Sequence, residues 1–146
     1  MSNPILTVEQ VREHIQDNAE DNKLIDGVEF SPTQISLAMG LAIDEYNMII
    51  PISNTTLYSF PNKALLMSGT LAKLFAGAAA LAARNNMSYS DGGVVVPVEE
   101  RFQFYQALAE MYRAAFDQGA RAIKLQGNIE DGWGGVRSDY GNMPLW

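Results

Sequence analysis

Apolar residues along the chain recur at spacings of three and four in four separate stretches, the period of a helix. Val8, Val11 and Ile15 form the first and shortest stripe. Ile35, Ala38, Met39, Ala42, Ile43 and Tyr46 form the second. The third stretch has two unlike faces: Met67, Leu71, Leu74, Phe75, Ala78 and Leu81 are bulky, whereas Gly69, Ala72, Ala76, Gly77 and Ala80 are small. Small residues let a neighbouring backbone come close, so this helix is expected at the centre of a bundle. The fourth stretch is apolar on two adjacent faces, Phe102, Tyr105, Ala109, Tyr112 and Phe116 on one and Phe104, Leu108, Met111 and Ala115 on the other. A helix apolar over that width needs cover from more than one direction, from its own chain or from a neighbour.

Polar residues mark where these helices begin and end. Thr7 and Gln10 have the spacing of a capping box, which starts the first helix at Val8. The run "DNAEDNK" ends it, because short polar side chains compete for backbone hydrogen bonds. In "FSPTQI", Ser31 is the N-cap, Pro32 takes the first helical position, Gln34 closes the box, and Phe30 and Ile35 hold the staple positions. That helix is expected to reach about Asn47, before a connector in which Pro51 disfavours helix at Ile50. The third helix is expected from near Pro61 to about Arg84 and the fourth from Pro97 to about Leu125. Glu99 and Glu100 in the first turn of the fourth, and Arg121 and Lys124 in its last, suit the helix dipole. Between them "NNMSYSDGG" reads as a loop, and "VVV" allows a short strand that Pro97 ends.

The fold class is therefore all-α: a small four-helix bundle over residues 1–125, then an extended, glycine-rich and aromatic tail over residues 126–146, with at most a minor β element near residues 94–96. A chain of 146 residues fits one domain, and with 47% hydrophobic and 18% charged residues it can bury a sizeable core.

The formal net charge of −7 argues against electrostatic binding of nucleic acid, which needs clustered Lys and Arg. The opening "MSNPILTVEQ" shows no basic region followed by a long apolar one, the pattern of a secretory signal. Ala64 to Ala83 is long enough to span a bilayer, but Lys73 near its middle costs about 2.5–3.5 kcal/mol on insertion scales. The rest is mostly Ala, Gly, Ser and Thr, so a buried helix is the better reading and no membrane partner is expected.

Candidate chemistry is sparse. With no cysteine there is no disulfide, zinc-thiolate site or thiol nucleophile. His14, the single histidine, sits beside the Val11–Ile15 stripe as a helix-surface residue, which rules out a histidine-rich metal site. A serine triad would have to use His14, and no Gly-x-Ser-x-Gly elbow exists. The neighbours Asp44 and Glu45, and Glu99 and Glu100, point away from each other on a helix and make no carboxylate dyad. "DNKLIDGVEF" lacks the alternating oxygen ligands of a calcium loop and reads as a turn at Asp26-Gly27. "GWGG" lacks the Gly-Lys-Ser/Thr of a phosphate loop, and Ser90 to Gly93 reads as a tight turn before an anion nest. No catalytic residue, metal ligand or cofactor is expected.

The tail carries five glycines between Gly127 and Trp146, together with Trp133, Tyr140, Leu145 and Trp146. It can be disordered, fold back on its own bundle, or lie across another protein. Two tryptophans oppose the first reading. Trp and Tyr are favoured interface anchors, each burying roughly 150–250 Å², which favours the last. Trp133, Tyr140, Leu145 and Trp146 are thus the candidate partner-binding residues.

"ILTVEQVREHI" resembles the opening of the head-to-tail connector, or adaptor, proteins of tailed bacteriophages, in which a Leu-Thr-x-x-x-Val start leads into a small helical domain. "ISLAMGLAIDEY" and "FPNKALLMSGTLAKLFA" are similar to the next two helices of that family, and "YSDGGVVVPVEERFQFYQALAEMYRAAF" to stretches of neck proteins. The long last helix and glycine-rich end depart from the commonest adaptor pattern. The resemblance covers Ile5 to Phe116. It implies a structural virion protein, assembled in the host cytoplasm: a homo-oligomeric ring docked on the portal, next to other neck or tail proteins. The ring would continue the channel through which DNA passes without specific binding. The resemblance also implies a C-terminal segment reaching the portal or a neighbouring subunit, a role carried to Trp133, Tyr140, Leu145 and Trp146. The alternative is a cellular helical-bundle module that binds a small ligand or a partner helix.

Overall fold

The computed structural model describes residues 2–22, 27–88 and 98–134. These form four helices: α1 (Val8–Ile15), α2 (Pro32–Met48), α3 (Lys63–Ser88) and α4 (Val98–Gly134). The protein is all-α, and no strand occurs among the described residues. Residues 94–96 and the Ser90 to Gly93 turn lie outside them.

Both capping boxes form. In α1 the Gln10 N–H donates to Thr7 Oγ1 at 3.3 Å, and the Thr7 N–H donates back to Gln10 Oε1 at 3.2 Å. Ser31 and Gln34 repeat the exchange at the start of α2, with Pro32 in the first turn. The staple residues Phe30 and Ile35 are both buried in the core. Helix α3 starts two residues after Pro61 because Asn62 serves as its cap, its Oδ1 accepting the Leu65 N–H at 3.0 Å.

The polar run after α1 breaks the helix through one residue. Gln16 turns left-handed at φ 55°, and the Asp17 carboxylate behind it is almost fully buried. It accepts four hydrogen bonds: from the backbone N–H groups of Glu29 (2.6 Å) and Phe30 (2.9 Å), from Asn22 Nδ2 (2.7 Å) and from Arg12 (3.2 Å). Asn22 also donates to the carbonyl of Gly27, which has a φ of +128°; Asp26, the other residue of the expected turn, lies outside the described residues. Asp17 thus joins the end of α1 to the N-cap region of α2.

Helix α3 packs against both α2 and α4. Leu71, Leu74 and Phe75 from its bulky face are buried, and Gly69 and Ala72 from its small face are buried as well. At Gly69 an added Cβ would lie 2.7 Å from the Phe116 ring of α4 and 2.9 Å from the Cβ of Ala42 in α2. Three helices therefore meet at a residue that has no side chain. Around it Phe75 stacks with Tyr105 and Tyr112, at centroid distances of 6.2 and 5.8 Å, and meets Phe30 edge-on. The small face is not small for packing throughout, since Ala76, Gly77 and Ala80 are exposed.

Residues Lys63–Asn85 of α3 are long and apolar enough to cross a membrane. The same helix supplies the centre of the core, and Lys73 in its middle pairs with Glu45 of α2 at 2.6 Å.

Helix α4 departs from expectation at its end. It runs to Gly134, nine residues beyond the expected stop at Leu125, so the boundary drawn between bundle and tail falls inside a helix. An i,i+4 bond from Gln126 to Glu130 (3.1 Å) lies within this extra length. Lys124, expected to face the helix dipole from the last turn, is instead buried ten residues before the end. Its Nζ donates to the Pro51 carbonyl (2.7 Å) and to Ser53 Oγ (2.5 Å), and lies 4.4 Å from the centroid of the Tyr46 ring. A specific long-range site has claimed a residue that the local pattern assigned to a cap.

Candidate interaction surface

Two helix faces are left uncovered. On α4, Phe104, Leu108, Met111, Ala115, Ala122, Leu125 and Ile129 lie in one row, set to the side of the core-facing row of Tyr105, Tyr112, Phe116 and Ala120. Phe104 is 68% exposed and Leu125 61%, with Met111 and Ile129 exposed as well; Leu108 is half-buried and packs against the core of its own chain. The first four residues of this row were visible in the sequence as the second apolar face of the fourth helix. Ala122 and Leu125 were not, because Gln118 interrupts the row before them, and Ile129 lies beyond the expected end of the helix at Leu125.

On α2, Leu37, Leu41 and Met48 are exposed on the side opposite the buried stripe. Leu37 is 62% and Met48 73% exposed. Sequence reasoning missed this face. Its signal was available: Leu37 and Leu41 are four apart, and neither belongs to the Ile35–Tyr46 row.

The two faces differ in charge. Helix α2 contains no Lys or Arg. Asp44 lies among its exposed leucines, and among the described residues it has no ion-pair partner. Helix α4 carries the exposed cations Arg101, Arg113 and Arg121 as well as the carboxylates Glu110, Asp117 and Glu130. Arg121 flanks Ala122 and Leu125, and it too has no ion-pair partner among the described residues.

Buried polar groups serve structure beside these faces. Burial pushes the Lys124 ammonium below its ordinary pKa of 10.5. The Tyr105 hydroxyl donates to the Glu29 carboxylate. Burial first, and this anionic acceptor second, push the Tyr105 phenol up to about 12. Asn47 organises the connector after α2: its Oδ1 accepts from Ser53 Oγ (3.0 Å), the Thr55 N–H (2.9 Å) and Thr55 Oγ1 (2.7 Å), and its Nδ2 donates to the Thr55 carbonyl (2.9 Å). Every one of these groups is satisfied within the fold, and no buried side-chain nitrogen or oxygen among the described residues lacks a partner.

Of the candidate partner-binding residues, Trp133 lies within α4, four positions after Ile129. Tyr140, Leu145 and Trp146 lie outside the described residues. His14 is exposed on α1. Among the described residues, no three His, Asp or Glu side chains gather where a metal could bind. What the described surface offers is exposed apolar area on two helices, with Asp44 beside one row and Arg121 beside the other. No protein-family model matches the chain, and no curated protein or solved structure matches it.

Proposed function

We propose that this protein is a structural assembly component that acts by binding alone, a ring-forming protein of the neck of a tailed bacteriophage. The observation that carries the assembly reading is the pair of uncovered apolar faces on α2 and α4. Two different faces on one subunit are what a head-to-tail contact needs, and such contacts close into rings when the rotation between subunits allows it. The phage setting comes from the adaptor-like "ILTVEQVREHI" and the helices that follow it.

In this reading the ring docks on the portal and continues the DNA channel toward the tail, beside other neck or tail proteins. The net charge of −7 supports it, because a wall that DNA must pass should not attract phosphate. The C-terminal segment with Trp133, Tyr140, Leu145 and Trp146 is the docking arm, its rings anchoring on the portal or on a neighbouring subunit.

Light scattering of the purified protein, alone and mixed with portal, tests this. A closed oligomer, or a monomer that oligomerises when portal is added, is the expected result. A monomer or dimer indifferent to portal overturns it and favours a cellular binding module. Deleting residues 135–146 is expected to leave helicity by circular dichroism intact and to abolish portal association. Undiminished association of the truncated protein removes the docking role of Tyr140, Leu145 and Trp146.

A further inference from the structure

The exposed row on α4 has a more demanding regularity than a merely greasy face. Its members follow one another by four, three and four from Phe104 to Ala115, and by three and four from Ala122 to Ile129, with Gln118 filling the one polar step between. Alternating steps of four and three average 3.5 residues, so the row drifts by only about 20° per heptad round a straight helix, which a slight left-handed supercoil against a partner takes up. That is the seam of a coiled coil, and its complement is another helix. A sheet or a flat ligand would not require that period.

The other uncovered face has the same spacing. Leu37, Leu41, Asp44 and Met48 step by four, three and four along α2. The two faces cannot meet within one chain. Ala42 of α2 and Phe116 of α4 are both held at Gly69 of α3, and each helix turns its exposed row away from that shared core. The geometry points to a contact between copies, with the α2 face of one subunit seated on the α4 seam of the next. This deepens the ring reading above and rests on it, because each subunit then offers its α4 to one neighbour and its α2 to the other.

Charge and register select the orientation. Run antiparallel, the 4-3-4 steps of α2 fall on the last 4-3-4 steps of the seam: Leu37 on Ile129, Leu41 on Leu125, Asp44 on Ala122, and Met48 on Gln118. Asp44 then comes beside Arg121, the exposed cation at the edge of the seam. Both charges lack an ion-pair partner among the described residues, and α2 has no cation of its own to pair with Asp44. Run parallel over the same steps, Asp44 would lie on Leu125 and leave Arg121 a turn behind. The antiparallel arrangement also sets the α2 N-terminus toward the α4 C-terminus, which the helix dipoles favour.

The absence of cysteine makes the contact easy to trap. Leu41→Cys and Leu125→Cys, each at an exposed position, are made singly and together in the full chain and treated with a short bis-maleimide. Concentrations up to about 1 mM are used, where even a Kd of that order populates the pair. An equimolar mixture of the two single variants is expected to give a cross-linked dimer. The double variant is expected to give a ladder of dimer, trimer and higher species, and each single variant alone to stay monomeric on a denaturing gel. Dimers from Leu125→Cys alone would mean that α4 pairs with its own twin, and would overturn the proposal. An oligomer by light scattering with no ladder would overturn the α2–α4 seam and leave the ring reading standing. A monomer with no ladder, indifferent to portal, would overturn both. As a second measurement, Asp44→Arg is expected to weaken self-association at least about tenfold, and adding Arg121→Asp to restore it. Failure of the reversed pair to rescue, with helicity intact, would refute the antiparallel register.

Discussion

Gly69 of α3 faces the ring of Phe116 on α4 so closely that a methyl group on Gly69 would stand 2.7 Å from two ring carbons. The Cβ of Ala42 would be only 2.9 Å away on the other side. Neither neighbour can yield easily, since Phe116 and Ala42 are both fully packed in the core. Gly69→Ala gains roughly 1 kcal/mol in helix propensity. The overpacking cost of about 1–3 kcal/mol, with two clashing directions, outweighs it. Urea unfolding should show a net loss of up to about 2 kcal/mol. Gly77→Ala is the control: the site is exposed, helical and has nothing within 4 Å, so it should gain up to about 1 kcal/mol. A stabilised Gly69→Ala protein would mean that the three helices do not meet as described.

Asp17 should shape the acid limb of stability. Burial alone would raise its pKa, but the N–H groups of Glu29 and Phe30, with Asn22 and Arg12, outweigh that and hold it below 3.8. A depressed folded pKa contributes stability that is present above the unfolded value and is lost as pH falls through the folded one. Asp17→Ala leaves the buried Phe30 N–H without its acceptor and should cost about 2–3 kcal/mol near pH 7. Between pH 4 and pH 2 the wild-type urea midpoint should fall toward that of the variant. Parallel acid limbs would show that Asp17 is not the group responsible.

Tyr105 should govern part of the alkaline limb. Its phenol titrates near 12 in the fold against 10 when unfolded, so its contribution is present below pH 10 and is lost as pH rises toward 12. Tyr105→Phe keeps the ring against Phe75 and removes the bond to Glu29. It should cost about 1–2 kcal/mol at pH 7 and flatten the loss above pH 10. Absorbance at 295 nm should show the buried Tyr46 and the half-buried Tyr105 of the native wild type ionising late, and the Tyr105 contribution should vanish in the variant.

Lys124 acts with the opposite sign in a neighbouring window. Its folded pKa is depressed by burial, so the unfolded chain holds the proton more tightly, and stability rises as pH climbs through the folded pKa toward 10.5. Lys124→Met removes that rise. It also frees the Pro51 carbonyl and Ser53 Oγ, while Asn47 still holds Ser53 and Thr55. Hydrogen exchange should therefore speed up through residues 50–55, with the amides of α3 little changed. Unchanged exchange in the connector would show that Lys124 does not clamp it.

The starts of α1 and α2 were legible because a cap is made within a few residues: Thr7 with Gln10, and Ser31 with Gln34, need nothing distant. The centrality of α3 was legible too, through the glycine and alanines that permit close approach. The candidate surface was half legible. Phe104 and Met111 stood out as a second apolar face, whereas Leu37 and Leu41 hid in a helix whose buried stripe already accounted for it.

By itself, then, the sequence determined that four helices form, where two of them begin, and that no cysteine or second histidine is present for thiol or histidine chemistry. Only the tertiary structure decided that Lys124 is buried beneath the connector, that α4 runs on to Gly134, and which apolar rows of α2 and α4 remain uncovered. The reason is range. Capping and periodicity are settled by neighbours three or four residues apart, but burial depends on which helix comes to lie alongside. At Gly69 that was decided by residues 27 positions before it and 47 after, Ala42 and Phe116.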